Sequence, residues 1–311
     1  TKAILSRKLV SSLKYREFIR VKLGDVDEKI IATPLTSGAG VITSFVKADG
    51  LLTIPQNTEG YESGSVVDVE LLKSISDIKN TIVITGSHDP LIDEISDILR
   101  QNSFNYFVAS SHVGSMGGIM AIKRNEAHIA GIHLLDEDTG EYNSSYIKKY
   151  LDPDAIVLVK GVKRTQGLIV RKNNPLKLTG ISDLDKENVR FVNRQKGSGT
   201  RILLDYLLDK EKINPDNIYG YTREEYTHLA VAVQISNSSA DAGLGIYSAA
   251  KIYDLDFVPV CEEEYDFILH RKHLESDNVQ KFLSILKSDE FKNRLLKIGG
   301  YSMENCGDII S

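Results

Sequence analysis

The pattern of apolar and polar positions changes character once along the chain, near Ser74. Before that point the apolar residues fall in short runs rich in β-branched side chains, at 18–23 (FIRVKL), 41–46 (VITSFV), 50–54 (GLLTI) and 65–72 (SVVDVELL). Glycine and proline punctuate them, at Gly24, Pro34, Gly38, Gly40, Pro55, Gly60 and Gly64, and no helical period intervenes. This predicts a small all-β domain over residues 1–73, a barrel or a sandwich. From Thr81 onward, short apolar strands alternate with amphipathic helices, which predicts βα units around a mainly parallel sheet. The first series has strands at 81–85, 104–110 and 128–135, with helices over 91–101 and 115–123. Ile92, Ile95, Ile98 and Leu99 share one face of the first helix. Two adjacent strands, 155–160 (AIVLVK) and 167–171 (GLIVR), lead to a second series. That series has strands at 189–193 and 240–246 and helices at 202–210 and 227–236. Return strands at 257–260 and 265–269 precede a helical end over 277–298.

Three small, polar, glycine-bearing turns sit where strands hand over to helices. They are Gly86-Ser87-His88-Asp89, the Ser110–Ser115 stretch with Ser111, His112 and Gly114, and Gly197-Ser198-Gly199-Thr200-Arg201. Ligands of open α/β sheets sit beyond the carboxyl ends of the strands. There the first N–H groups of each helix lack internal partners and the helix dipole favours an anion. Ser, Thr and Asp also cap helices that bind nothing, so one such turn says little. Three turns from two separate series point to a shared anion site, with Ser87, His88, Ser111, Ser115, Ser198, Gly199 and Thr200 as donors. Arg201 is the cation that would clamp the charge, while Arg164 reads as a solvated surface residue. Asp241 either orients a donor or satisfies N–H groups of a tight turn.

Composition narrows the rest. With 41% hydrophobic and 26% charged residues the chain reads as a globular protein of two or three units. The 38 basic residues are scattered among 43 acidic ones, a net charge of -5, so no nucleic-acid partner is expected. Cys261 and Cys306 form no paired motif, which fits a reducing compartment. No secretory leader opens the chain and no apolar run reaches membrane length, so a cytoplasmic protein without a membrane partner is expected. The start at Thr1, inside a strand-like run, reads as a piece cut from a longer protein. His112, His133 and His228 lie near the turns without metal-ligand spacing, so hydrogen bonding is expected of them and no structural metal. His270 and His273 fall in a charged stretch expected to be exposed. The Gly197–Arg201 run lacks the Lys-Ser/Thr ending of a phosphate loop, and no serine has a nucleophile setting. No catalytic residue is expected in this chain.

Two resemblances add to this reading. The stretches KAILSRKLVSSLKYREFIRV, PLTSGAGVITSFVKADGLLTIP and EGYESGSVVDVELL resemble the C-terminal domain of MoeA-like molybdenum-cofactor biosynthesis proteins. This implies a cofactor-binding cleft near Ser37, Gly38 and Asp49, molybdopterin as a partner of the intact protein, a homodimer through the β-domain, and a molybdotransferase as the parent enzyme. The stretches GSHDP, SSHVGSMGGIMAIKRNEAHIAGIHLLDEDTGEYN, RQKGSGTR and ADAGLGIYSAA resemble periplasmic-binding-protein-like domains of type II. The implied fold class is multidomain: a small all-β domain, then a two-lobed α/β domain over 81–311. One lobe is built from 81–160 and 266–311, the other from 165–262, and they close about segments near 160–167 and 260–265. The resemblance places Ser87, Ser115, Ser198, Gly199 and Thr200 at the pocket, with Tyr142 and Asn143 as contacts of the closing lobe. Molybdate or tungstate is the implied ligand. Two alternatives stay open at this point: a pterin intermediate held during metal insertion, and an unrelated metabolite held by a sensor module.

Overall fold

A computed structural model describes residues 1–35, 47–102, 105–136 and 139–310. Ser37, Gly38 and the strand expected over 41–46 lie outside the described residues. The chain opens with β1 (Lys2–Leu5), β2 (Leu9–Val10), β3 (Glu17–Val26), β4 (Lys29–Pro34), β5 (Gly50–Ile54), β6 (Gly60–Tyr61) and β7 (Val66–Leu71). Five of them close a barrel in the order β1-β4-β3-β5-β7, while β2 pairs with β6 beside it. Alternate side chains point inward, so Leu5, Val21, Leu23, Leu52, Ile54 and Val69 form one buried core. Each such side chain contributes about 1.5–3 kcal/mol of burial. Of the two architectures the pattern allowed, closure is the one found.

A short helix, α1 (Ile75–Lys79), leads to the first βα series: β8 (Thr81–Gly86), α2 (Pro90–Gln101), β9 (Phe107–His112), α3 (Gly114–Lys123), β10 (Ala130–Ile132) and α4 (Ser144–Tyr150). β8 and β9 pair in parallel along their whole length. The second series runs through β11 (Ile156–Val170), β12 (Phe191–Arg194), α5 (Gly199–Lys210), β13 (Glu224–Glu225), α6 (His228–Ser236), β14 (Ala242–Ile246) and α7 (Tyr247–Ile252). The chain returns along β15 (Asp256–His270) and ends with α8 (Asp277–Leu286), α9 (Asp289–Ile298), β16 (Tyr301–Ser302) and β17 (Ile309–Ile310). The sheet order β10-β15-β11-β14-β12-β13 joins both lobes.

The join is where the strand pattern misleads. Residues 155–160 and 167–171 are not two strands but parts of the single 15-residue β11, and the two return strands are likewise one, β15. The two long strands pair antiparallel from Ile156–His270 to Val170–Asp256, with irregular register between Val159 and Val162 and again between Gln166 and Gly167. Their middle stretches, KGVKRTQ and CEEE, are polar, so each looked like a loop between strands. Here polar side chains are buried against each other across the two strands, which run through both lobes.

Each lobe has its own core. Ile82, Ile84, Leu91, Ile95, Phe267 and Phe282 fill the first, and the apolar stripe predicted for α2 is buried there. Leu168, Phe191, Leu204 and Leu244 fill the second. The barrel docks on the first lobe through Val26 and Ile31, which join Val83, Ile119 and Ile122 in one cluster. His273, expected in an exposed stretch, is instead buried at this junction. It lies 3.6 Å from Asp27 of the barrel, with its ring edge toward His128.

Candidate functional site

The three glycine-bearing corners meet around one buried residue, His133. At the first corner, Asp89 caps α2 by accepting from the Leu91 N–H (2.8 Å), and the Ser87 hydroxyl lies 2.8 Å from His133 Nε2. At the second, the Ser115 hydroxyl accepts from the His133 N–H (3.1 Å). At the third, Ser198 caps α5 by accepting from the Arg201 N–H (3.2 Å). Gly199 then rests directly on His133: a Cβ at Gly199 would stand 2.0 Å from the His133 carbonyl oxygen. Only glycine allows that approach. Thr200 accepts from Gln166 Nε2 at 3.0 Å. The lobes are therefore closed, with small residues of both at the seam.

Charge organises the centre. Arg164 and Glu263 face each other across β11 and β15 in register, and Arg164 donates to Glu263 through Nε and to Asp89 through Nη1. Glu263 also accepts from Gln166 Nε2 (2.6 Å) and lies 2.8 Å from His133 Nδ1. Burial alone would keep Glu263 protonated, but the charge of Arg164 and the hydrogen bonds from His133 and Gln166 outweigh it and hold its pKa at about 2. Burial pushes His133 below the ordinary imidazole value. A neutral His133 beside an ionised Glu263 donates from Nδ1, so Nε2 accepts the Ser87 hydroxyl proton. Arg164, expected at the surface, is 1% exposed and stacked 4.6 Å from the Tyr265 ring centroid. The expectation failed because its carboxylate partner is remote in sequence.

Beside this network lie buried donors with no partner among the described residues. Arg194 is 1% exposed and reaches only the backbone carbonyls of Glu225 (3.3 Å) and Tyr226 (3.0 Å), leaving Nη1 unmatched. Burial, then Arg164, pushes its pKa down to about 9. Arg164 Nη2 and both ring nitrogens of His228 are unmatched too. His228 is held well below its ordinary value by burial, then by Arg194 and Arg164, so these groups are within electrostatic reach of one another. A buried guanidinium without a carboxylate is costly, typically by several kcal/mol, and an anion would remove that cost.

Several predicted site residues take other places. Ser111 meets Ser6 of the barrel (3.1 Å), and His88 lies 4.1 Å from the His112 ring and 3.4 Å from Asp93. Ser111 turns to the barrel side, because neighbouring side chains at a strand end point to opposite faces, while His88 stays against first-lobe residues. The Arg201 guanidinium turns to Asp205 (3.0 Å) and the Tyr221 ring (4.1 Å), so it is no clamp in this closed form. Asn143 accepts from the Leu134 N–H (2.8 Å) and donates to Asp266 (2.9 Å), bracing the segment that carries His133. Tyr142 packs on the second lobe's core. Asp49 accepts from the Leu23 N–H (3.0 Å) and pairs with Lys22 and Lys73 at the barrel edge. Asp241 accepts from the Arg190 N–H, remote in sequence, and pairs with Arg190 and Arg171, so it does not satisfy the N–H groups of its own turn. Glu263, Gln166 and Arg194 were missed; charged residues inside otherwise apolar strands were the available signal. Among the described residues no group of three or more His, Cys, Asp or Glu could hold a metal ion.

Comparison with known proteins agrees with this architecture. The model of the PBP superfamily domain matches residues 96–287, and that of the MoeA C-terminal region (domain IV) matches residues 2–72. The protein YvgK of Bacillus subtilis (strain 168) is 33% identical over 234 residues, 75% of each chain. A Methanocaldococcus jannaschii protein named for molybdopterin biosynthesis, MJ0666, is 48% identical over 69 residues, 22% of this chain and 16% of that one. A phosphate-bound structure from Clostridium perfringens, described as a phosphate ABC transporter substrate-binding protein, shares the fold. Its TM-score is 0.55 at 13% identity, over 70% of this chain and 97% of that one. A MoeA C-terminal region followed by a two-lobed α/β domain, the chain belongs to the PBP superfamily.

Proposed function

We propose that the cleft between the lobes binds a small tetrahedral oxyanion, molybdate or tungstate, for molybdenum-cofactor assembly. The observation that carries this reading is Arg194, a buried guanidinium that makes no ion pair among the described residues and has an unmatched Nη1. Arg164 Nη2 and His228 add further unmatched donors. Fixed donors in a desolvated hollow suit an anion that sheds its water on binding. The MoeA-like barrel, and a relative named for molybdopterin biosynthesis, favour a metal oxyanion over other anions. The solved relative with bound phosphate supports only the fold. Binding would hold the lobes shut about β11 and β15, in the manner of hinge-closing domains.

Thermal unfolding of the full chain with molybdate, tungstate, sulfate and phosphate tests the reading. The first two are expected to raise the unfolding temperature with saturation, since a ligand of the native state stabilises it by mass action. No response to either removes the metal-oxyanion assignment. A response to phosphate alone transfers the site to a different anion.

A further inference from the structure

A hollow lies outside the cleft, where the barrel, the first lobe and the start of α6 meet. It has a volume of 860 Å³. Arg7, Lys22 and Lys47 line it from the barrel, Lys73 from the connection to α1, and Arg100 from α2. These five cations share three carboxylates. Asp49 sits between Lys22 (3.0 Å) and Lys73 (2.9 Å), Asp97 pairs with Arg100, and Asp93 lies 3.4 Å from His88. Among the described residues Arg7 and Lys47 make no ion pair: Arg7 donates to the Pro34 carbonyl at 3.1 Å, and Lys47 acts on Asp93 only through space. A cationic hollow on a chain of net charge -5 is a local feature and not a consequence of overall composition.

We infer that this interdomain cavity is a second anion site, separate from the cleft, and that it takes a phosphate ester or a polyphosphate. The volume falls within the range of about 300–1,000 Å³ typical of small-molecule sites, and a single tetrahedral oxyanion would leave most of it empty. Its cations are spread around the wall, which suits a ligand with several separated anionic oxygens. Among the described residues neither the guanidinium fork of Arg7 nor the ammonium of Lys47 makes an ion pair, Lys47 acting on Asp93 only through space, and both types bind phosphate oxygens well. The Phe107 ring, already flanked by Lys22 and Lys73 at 5.4 and 4.8 Å, gives the hollow an apolar floor. Tyr226 and Thr227 close it from the second lobe. The same short segment ends at His228 in the cleft, so the wall is complete only when the lobes are shut.

Calorimetric titration of the full chain at low salt tests this, with tripolyphosphate and guanosine monophosphate as separate probes. Saturable binding of at least one is expected, weakened tenfold or more in an Arg7→Gln/Lys47→Gln variant whose unfolding temperature still responds to molybdate as the wild type does. Which probe binds identifies the source as free polyphosphate or phosphate ester. Should the double variant fold poorly, Lys47→Glu alone reverses a charge at an exposed position and is expected to weaken binding in the same direction. The assignment is overturned if neither probe saturates the wild type, or if both Lys47 variants bind as tightly as the wild type.

Discussion

The Ser87 hydroxyl lies 2.8 Å from Nε2 of His133, and Glu263 holds the opposite ring nitrogen at the same distance. Ser87 belongs to the first lobe's first corner and Glu263 to a strand that passes through both lobes, so this relay ties that corner to the strand pair joining the lobes. An oxyanion entering the cleft competes with His133 for the Ser87 proton. Ser87→Ala is therefore expected to weaken molybdate binding about tenfold while lowering stability by about 1–3 kcal/mol, the cost of leaving the buried His133 Nε2 without its partner. Paired calorimetry and urea unfolding separate the two effects, and an unchanged affinity would take Ser87 out of the site.

Gly199→Ala tests closure by geometry. Its Cβ would stand 2.0 Å from the His133 carbonyl oxygen and 2.4 Å from Nδ1. The seam cannot yield there without parting the lobes, because one of the atoms met is backbone. Solution scattering should report a larger radius of gyration for the variant and molybdate affinity should fall sharply. A variant as compact as the wild type would contradict the closed seam.

Glu263→Gln leaves Arg164 with one fewer carboxylate in a fully buried setting. Breaking a buried ion pair from one side costs roughly 3–5 kcal/mol, and the loss should appear directly in denaturant unfolding. The wild type has a matching pH signature. The folded pKa of Glu263, about 2, is depressed below its unfolded value, so its contribution is full above the ordinary carboxylate range and disappears as pH falls toward 2. Glu263→Gln should flatten that part of the stability curve.

His128 acts in a higher window. Burial first, then the neighbouring His273, pushes its pKa down to about 4, and its Nδ1 accepts from the Val83 N–H at 3.0 Å. The unfolded chain takes up the proton near pH 6.5, before the folded one does. The stabilisation is thus full above that pH and lost as pH falls toward 4. His128→Asn, which keeps an acceptor and cannot titrate, should reduce the slope of stability between pH 6.5 and 4. An identical slope would place the acid sensitivity elsewhere.

What could be read in the chain follows from what is local. The α2 stripe, the barrel runs and the serine and glycine corners are decided by neighbours within a few residues, and the residues themselves announce them. The network at the centre is not local. Arg164 and Glu263 are 99 positions apart, and each looks like an ordinary surface charge until β11 and β15 are laid side by side. The same pairing hid the length of those strands, since a polar middle reads as a break unless its partner is known. Ser111 and His88 were assigned to the cleft because their turns are; the side of each turn on which a side chain falls depends on the strand's pleat and, for Ser111, on the barrel, which packs against it.

Titration calorimetry of molybdate and tungstate against the wild type and Arg194→Gln addresses the cleft's role most directly. The wild type should bind one equivalent per chain, and the variant should lose at least a hundredfold in affinity while remaining folded, since it gives up an uncompensated buried charge. Equal binding by both proteins, or no saturable binding by the wild type, would contradict the reading of the cleft as an oxyanion receptor.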